Sequence, residues 1–268
     1  MKPYLMILAT AAALAGCTKK EDEAKPLEAA TQGTDATVSD QYGIIRATPY
    51  FMQNDYWNKG VAGSGSQNCF YNNLSDWGAN STHTYGNGDI KSYPSIVYGQ
   101  HYGNDSGAGR LPQKIQDLGL VNTTWSQTSN SSSFDAAYDV WFDPYTDVSG
   151  RAAKDELMIW VDWANTKPLA QGYTSSGAVP YASSVYLGGR HWNIYHKDLG
   201  SGRDVMSFLP VSGGQNSMTV NMKPLIDYCV SRGWLQSTQY MTSIQAGWEI
   251  IAGGTFRTSR FTIDGTTL

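Results

Sequence analysis

Glu156-Leu157-Met158-Ile159-Trp160-Val161 is the stretch that decides the fold of this chain. Alternate side chains of a β-strand point to opposite faces, so Leu157, Ile159 and Val161 share one face and Glu156, Met158 and Trp160 the other. The first set is a core face. The other set borders a groove and carries a carboxylate that loses hydration there, so it must be hydrogen-bonded, paired or used. Ala246-Gly247-Trp248-Glu249-Ile250-Ile251 sets another lone glutamate in the same context, with Gln245, Gly247, Glu249 and Ile251 on one face. Tyr138-Asp139-Val140-Trp141-Phe142 places Asp139 and Trp141 together, opposite the other three. A curved sheet can bring the three carboxylates together.

Outward from these stretches, short runs rich in Val, Ile, Tyr and Trp alternate with Gly, Asn, Ser and Asp clusters, the pattern of an all-β chain. Strands are expected at 49–53, 96–98, 136–142, 156–163, 185–187, 192–195, 204–208, 244–251 and 260–263. One helix is expected near the C-terminal side. Pro224 suits its first turn, Leu225, Ile226, Cys229 and Val230 form its apolar face, and Gly233 stops it. Two antiparallel sheets with a helix on the outside follow. Residues 41–268 read as one folded domain, 17–40 as a polar, flexible tether, and 1–16 as a signal peptide.

The signal reading rests on Lys2, a short apolar run from Tyr4 to Ala15, and Leu14-Ala15-Gly16-Cys17, which resembles a bacterial lipobox. That resemblance implies cleavage before Cys17 and lipidation of its thiol, so an exported protein tethered by acyl chains at the cell surface or in the periplasm. An ordinary signal peptide with an incidental cysteine is the competing reading. Charged residues make up only 16% of the chain and the net charge is -4, which argues against a nucleic-acid partner. His83, His101, His191 and His196 have no ligand spacing, so no metal is expected, and chemistry handled by carboxylates needs no cofactor. The 9 Trp and 17 Tyr are material for a core or for sugar-stacking surfaces. Cys229 falls on the helix's apolar stripe, where a buried free thiol is expected, and pairing of Cys69 with Cys229 stays open. Nothing signals an oligomer, and a monomer is expected.

Five ordered segments resemble glycoside hydrolase family 12, the small jelly-roll endo-β-1,4-glucanases and xyloglucanases. They are Tyr50-Phe51-Met52-Gln53-Asn54-Asp55-Tyr56-Trp57, Lys91-Ser92-Tyr93-Pro94-Ser95-Ile96, Ala137-Tyr138-Asp139-Val140-Trp141, Glu156-Leu157-Met158-Ile159-Trp160 and Ile244-Gln245-Ala246-Gly247-Trp248-Glu249. The resemblance implies a jelly-roll sandwich with a concave cleft and a helix on its convex side. It implies that Glu156 is the nucleophile and Glu249 the general acid/base, that Asp139 hydrogen-bonds the nucleophile, and that Trp57 stacks on a sugar. Asn54, Trp141, Met158 and Trp160 are further candidate substrate-binding residues, Met158 and Trp160 from the groove face they share with Glu156. The substrate would be a β-1,4-linked glucan: cellulose, mixed-linkage β-glucan or xyloglucan. Retention of configuration asks for two carboxyls about 5–5.5 Å apart.

Several positions depart from the family pattern. Trp248, Ile250 and Ile251 stand where the family carries Thr and Pro-Phe, which points to altered subsites. The segment Ser39-Asp40-Gln41-Tyr42 lacks the cysteine that many members pair near Cys69. Plainer readings compete residue by residue. Glu156 can be a surface residue after Lys154-Asp155, Glu249 a partner of Arg257 or Arg260, and Asp139 a structural aspartate. Asp143 and Asp147 read as loop surface, Asp162 as either a rim residue or a solvated one, and Lys91-Ser92-Tyr93-Pro94 as structure. The rival from another class is a non-catalytic, lectin-like carbohydrate-binding sandwich.

Overall fold

The computed structural model describes residues 31–32, 35–107 and 110–264. Residues 1–30, with the signal, Cys17 and most of the tether, lie outside the described residues. The larger sheet has 12 strands. Its order is β1 (Thr31–Gln32), β3 (Ile44–Ala47), β4 (Tyr50–Gln53), β7 (Ser95–His101), β19 (Tyr240–Ile250), β11 (Phe134–Asp143), β12 (Asp155–Ala164), β17 (Asp204–Pro210), β16 (Arg190–Asp198) and β15 (Ala182–Leu187). β8 (Asn104–Asp105) adds to β7, and β9 (Gln113–Lys114) to β19. The 6-stranded sheet runs β18 (Ser217–Asn221), β10 (Asn122–Ser129), β20 (Gly254–Asp264), β6 (Asp76–Ser81), β5 (Gln67–Asn73) and β2 (Ala36–Val38). A small hairpin, β13 (Tyr173–Thr174) with β14 (Gly177–Ala178), stands apart.

This is the expected jelly-roll sandwich, with two departures. The β1–β3 and β12–β17 pairs are parallel. The latter arises because the chain leaves β12, starts again at the far edge with β15, and fills inward through β16 to β17. The folded part also begins before residue 41. Val38 of β2 lies opposite Cys69 and Ala36 opposite Tyr71, so β2 covers the edge of β5. Cys69 and Cys229 are both buried and both free.

Leu157, Ile159 and Val161 face the space between the sheets, with Tyr138, Val140 and Phe142 of β11 and Ile244, Ala246, Trp248 and Ile250 of β19. The opposing sheet contributes Trp77, Trp125, Phe256 and Phe261. Trp77 stacks on Trp125 with ring centroids 5.9 Å apart, and Trp248 packs on both at 5.3 and 5.2 Å. The indole N–H of Trp248 donates to Gln127 Oε1 at 3.0 Å and that of Trp125 to Thr258 Oγ1 at 2.9 Å. Trp248 and Ile250 are therefore core residues, which corrects the expectation that they shape subsites.

The helix α1 (Lys223–Ser231) buries Leu225, Ile226 and Cys229 in the same core. Tyr228 sets its ring 6.2 Å from that of Phe208, a core-facing residue of β17, so the helix lies on the side of the sheet away from Glu156. A bulge at Ala136/Ala137 places Val161 as an extra residue of β12. Beyond it the faces exchange. Asp162 accepts a hydrogen bond from Gln127 of β10, and Trp163 joins Trp160 at 5.8 Å on the other face. Asp162 is thus no rim residue of the groove.

Truncating Trp248 to Ala leaves a void shared by three indoles and an unpaired Gln127 amide. The expected cost is about 3–5 kcal/mol, read as a lower midpoint in chemical denaturation; a loss under about 1 kcal/mol would refute this packing.

Candidate active site

Three neighbouring strands build one polar floor on the outer face of the large sheet. In register, Glu156 of β12 lies opposite Trp141 of β11, Met158 opposite Asp139, and Trp160 opposite Ala137. On the other side of β11, Ser243, Gln245, Gly247 and Glu249 lie opposite Trp141, Asp139, Ala137 and Asp135. Residue 247 must be small: a Cβ there would come 2.5 Å from the Pro94 carbonyl oxygen and 2.6 Å from the Ser95 Cβ. The adjoining Tyr93 is buried and its hydroxyl donates to the Ala137 carbonyl at 2.9 Å.

A cleft of about 450 Å³ opens over this floor. Glu156, Met158, Trp160, Val205 and Glu249 line it, with Trp57 and Ile90 from one side and Lys167, Leu169 and the Leu199–Arg203 turn from the other. Asn58 joins the first side together: its N–H donates to the Lys91 carbonyl at 2.9 Å and its amide to the Ile90 carbonyl at 2.8 Å. Trp57 is half-buried, so one part of its indole remains open to a ligand.

The electrostatics are those of a crowded acidic centre. Asp135 is 0% exposed, Asp139 1% and Glu156 6%, while Glu249 is partly exposed. Burial raises the Tyr93 hydroxyl pKa well above its usual range, and the charges of Asp139, Asp135, Glu156 and Glu249 raise it further. Asp135 is likewise held well above the carboxylate range, by burial first, then by the charge of Glu249 and a hydrogen bond to it, then by Asp139 and Glu156. Beside them runs a buried amide row. Gln53 donates to Ser95 Oγ at 3.1 Å and to Gln245 Oε1 at 3.3 Å, and the Gln245 amide meets His101 Nδ1 at 2.8 Å. Among the described residues no group of three His, Cys, Asp or Glu side chains converges as a metal ion needs.

Most of the residues singled out from the sequence meet here. Glu156, Glu249, Trp57, Met158 and Trp160 line the cleft, and Asp139 lies between Met158 and Gln245 in register and adds its charge to the same centre. Trp141 borders Glu156 in register but is buried against Val148 and Ala153, so it supports the floor. Asn54 does not reach the cleft. It is fully buried, its amide donates to the Asp40 carbonyl at 2.9 Å, and its Oδ1 and carbonyl oxygen accept from Gln67 at 3.0 and 2.7 Å. Arg257 pairs with Asp76 at 3.3 Å rather than with Glu249. Asp143 is no loop residue: it ends β11, buried, and accepts from both terminal nitrogens of Arg151 at 2.6 and 2.7 Å. Asp155 turns away from Glu156 and accepts from the Gln239 amide at 2.6 Å. Sequence reasoning missed Asp135 and the place of Tyr93. Extending the alternation of Asp139 four residues back would have found Asp135.

Carboxylates of unequal exposure on the floor of an aromatic-walled cleft, carried by a jelly-roll sandwich, define a glycoside hydrolase. The chain matches glycosyl hydrolase family 12 over residues 48–265 and belongs to that family. It is 31% identical over 218 residues to endoglucanase S of Pectobacterium parmentieri, covering 76% of each chain. It is 27% identical over 267 residues to a probable xyloglucan-specific endo-beta-1,4-glucanase A of Aspergillus terreus, covering 97% of this chain and 96% of that one. A ligand-bound family 12 xyloglucanase from Bacillus licheniformis superposes with a TM-score of 0.75 at 27% identity, over 85% of this chain and 98% of that one. The expected endo-acting glycoside hydrolase on a jelly-roll is thereby met.

The Trp57 wall has its own pH limit. Gly65 N–H donates to His83 Nδ1 at 2.9 Å, the His83 ring lies 4.9 Å from that of Tyr56, and the Tyr56 hydroxyl donates to the Gly65 carbonyl at 3.0 Å. Burial, and then the Lys91 charge, lower the His83 pKa from 6.5 to about 4. The unfolded chain thus takes up a proton that the folded chain refuses, and stability is lost as the pH falls from 6.5 towards 4. Replacing His83 with Gln should flatten that part of a stability–pH curve by up to one proton; coincident slopes would contradict this.

Proposed function

We propose that this chain is a retaining endo-β-1,4-glucanase that works by double displacement, with Glu156 as nucleophile and Glu249 as general acid and then base. The carrying observation is that both glutamates line one cleft from the two strands that flank β11, with Trp57 on its wall. Glu156 attacks the anomeric carbon while Glu249 gives its proton to the departing glycosidic oxygen. Glu249, now a carboxylate, takes a proton from water, and that water releases the sugar from Glu156. Asp139, beside Glu156 on the floor, disperses the nucleophile's charge by hydrogen bonding. The indole of Trp57 offers a flat apolar surface to a pyranose face. The substrate is a β-1,4-linked glucan, in keeping with relatives named endoglucanase and xyloglucan-specific endo-β-1,4-glucanase. A cleft of openly accessible walls fits internal attack on a polymer.

Glu156→Gln should abolish reducing-sugar release from soluble β-glucan, by at least about 10⁴-fold, and Glu249→Gln should cost about 10²–10⁴-fold. Proton NMR of the first products should give the β-anomer before mutarotation. Binding without release in the parent enzyme would support the lectin-like alternative, and α-anomer as first product would exclude double displacement.

We also propose that the mature chain starts at a lipidated Cys17 and is held at a bacterial membrane surface as a monomer. The support is the order Leu14-Ala15-Gly16-Cys17 after a short apolar run. No helix among the described residues is long and apolar enough to cross a membrane. Cys17→Ala should move the enzyme from the membrane fraction to the soluble fraction with its activity retained; an unchanged distribution would rule out the anchor.

A further inference from the structure

Asp135 is a buried ionisable group that the mechanism above does not use. It lies opposite Glu249 in the β11–β19 register and is 0% exposed. No N–H or O–H donor among the described residues reaches either of its oxygens. Glu249, directly opposite across the strand pair, is the side chain that most raises the Asp135 pKa after burial, through charge and hydrogen bonding. Two carboxylates are both acceptors, so a hydrogen bond between them requires a proton on one of them. Glu249 borders the open cleft and Asp135 does not, so the cost of desolvating a charge is greater at Asp135.

We infer that Asp135 is a positioning residue for the acid/base: it stays protonated through the catalytic cycle and donates its O–H to Glu249. The inference rests on the proposed role of Glu249. When Glu249 hands its proton to the leaving oxygen, the new carboxylate accepts the Asp135 O–H. When Glu249 then takes a proton from water, the Asp135 proton remains where it was. One proton enters and one leaves through Glu249, and Asp135 is not consumed. A neutral acid is a stronger donor than an amide, so it favours ionised Glu249 and draws the alkaline limb of the rate profile to lower pH.

The other charged groups around the pair do not replace this proton. Asp139 on β11 and Glu156 on β12 add negative charge, and Tyr93 spends its O–H on the Ala137 carbonyl. Lys91 lies near the end of β19, but its ammonium donates to the carbonyls of Tyr85 and Asp89 at 3.0 and 2.8 Å. Lys167 and Arg203 line the opposite wall of the cleft. Burial and the neighbouring negative charges all raise the Asp135 pKa, in agreement with a retained proton.

The test compares the intact chain with Asp135→Asn, which keeps the shape and an N–H donor but cannot ionise. The alkaline limb of kcat/KM on a soluble β-glucan should move up by about one pH unit in the variant, with KM altered less than kcat. Independently of activity, infrared spectra of the parent protein at pH 7 should contain the C=O band of a neutral carboxylic acid, lost in Asp135→Asn. An unmoved limb, or no such band in the parent, overturns the inference. Glu249→Gln separates the two readings. If that variant keeps full activity, the acid/base role fails while the infrared band still decides whether Asp135 holds a proton. If it loses activity and the limb in Asp135→Asn stays in place, the acid/base role stands and the inference falls.

Discussion

β11 is buried along its whole length, and its two faces bury opposite kinds of side chain. Tyr138, Val140 and Phe142 complete the interior of the sandwich. Asp135, Asp139 and the small Ala137 floor the cleft. Strand alternation forbids one face from moving without the other, because a slip of one residue would put carboxylates into the core and aromatics into the cleft. The indoles of Trp77, Trp125 and Trp248 therefore fix the acidic floor, although none of them touches it. They hold β19 and β11 in register, and the register decides which carboxyl meets which.

The fold around the acids was legible because β11, β12 and β19 carry strong alternation. Of the smaller sheet only part of β20 was, through the run 260–263. In Asn122–Ser129 the inward positions are Thr123, Trp125 and Gln127, all buried. Two of these three are polar, so the alternation is present but hidden from a reading based on apolar residues. Thr258, Trp248 and Asp162 satisfy the polar atoms of β10 inside the sandwich, and that satisfaction is a tertiary fact which no local window contains. β2 was illegible for a similar reason. Its place is set by the exposed edge of β5, not by its own composition.

At the site, alternation and family resemblance sometimes disagreed, and alternation was the better guide. It sets Trp248 and Ile250 opposite Glu249, hence inward, whereas the family pattern makes them neighbours of the acid. Asn54 failed in the other direction. Its segment matches the family, but its side chain holds the chain entering β5 through Gln67. Asp162 was lost to one extra residue, Val161, at the bulge. A period-2 reading holds only up to such a point, and bulges leave no reliable mark in sequence.

The four acids are best understood as one charge system graded by solvent. From Asp135 through Asp139 and Glu156 to Glu249, access to water rises. Burial and the neighbouring acids raise the pKa of the deepest member, Asp135, well above the carboxylate range. The cations in reach do not neutralise it. Lys91 is tied to backbone carbonyls, and Lys167 and Arg203 belong to the far wall. The proton inferred to stay in this centre sits deepest, where water is least able to stabilise charge. Glu249 lies at the open end, where the proposed exchange of a proton with substrate and solvent needs it. The proposed division of labour among chemically similar carboxyls thus follows the depth at which β11, β12 and β19 set each one.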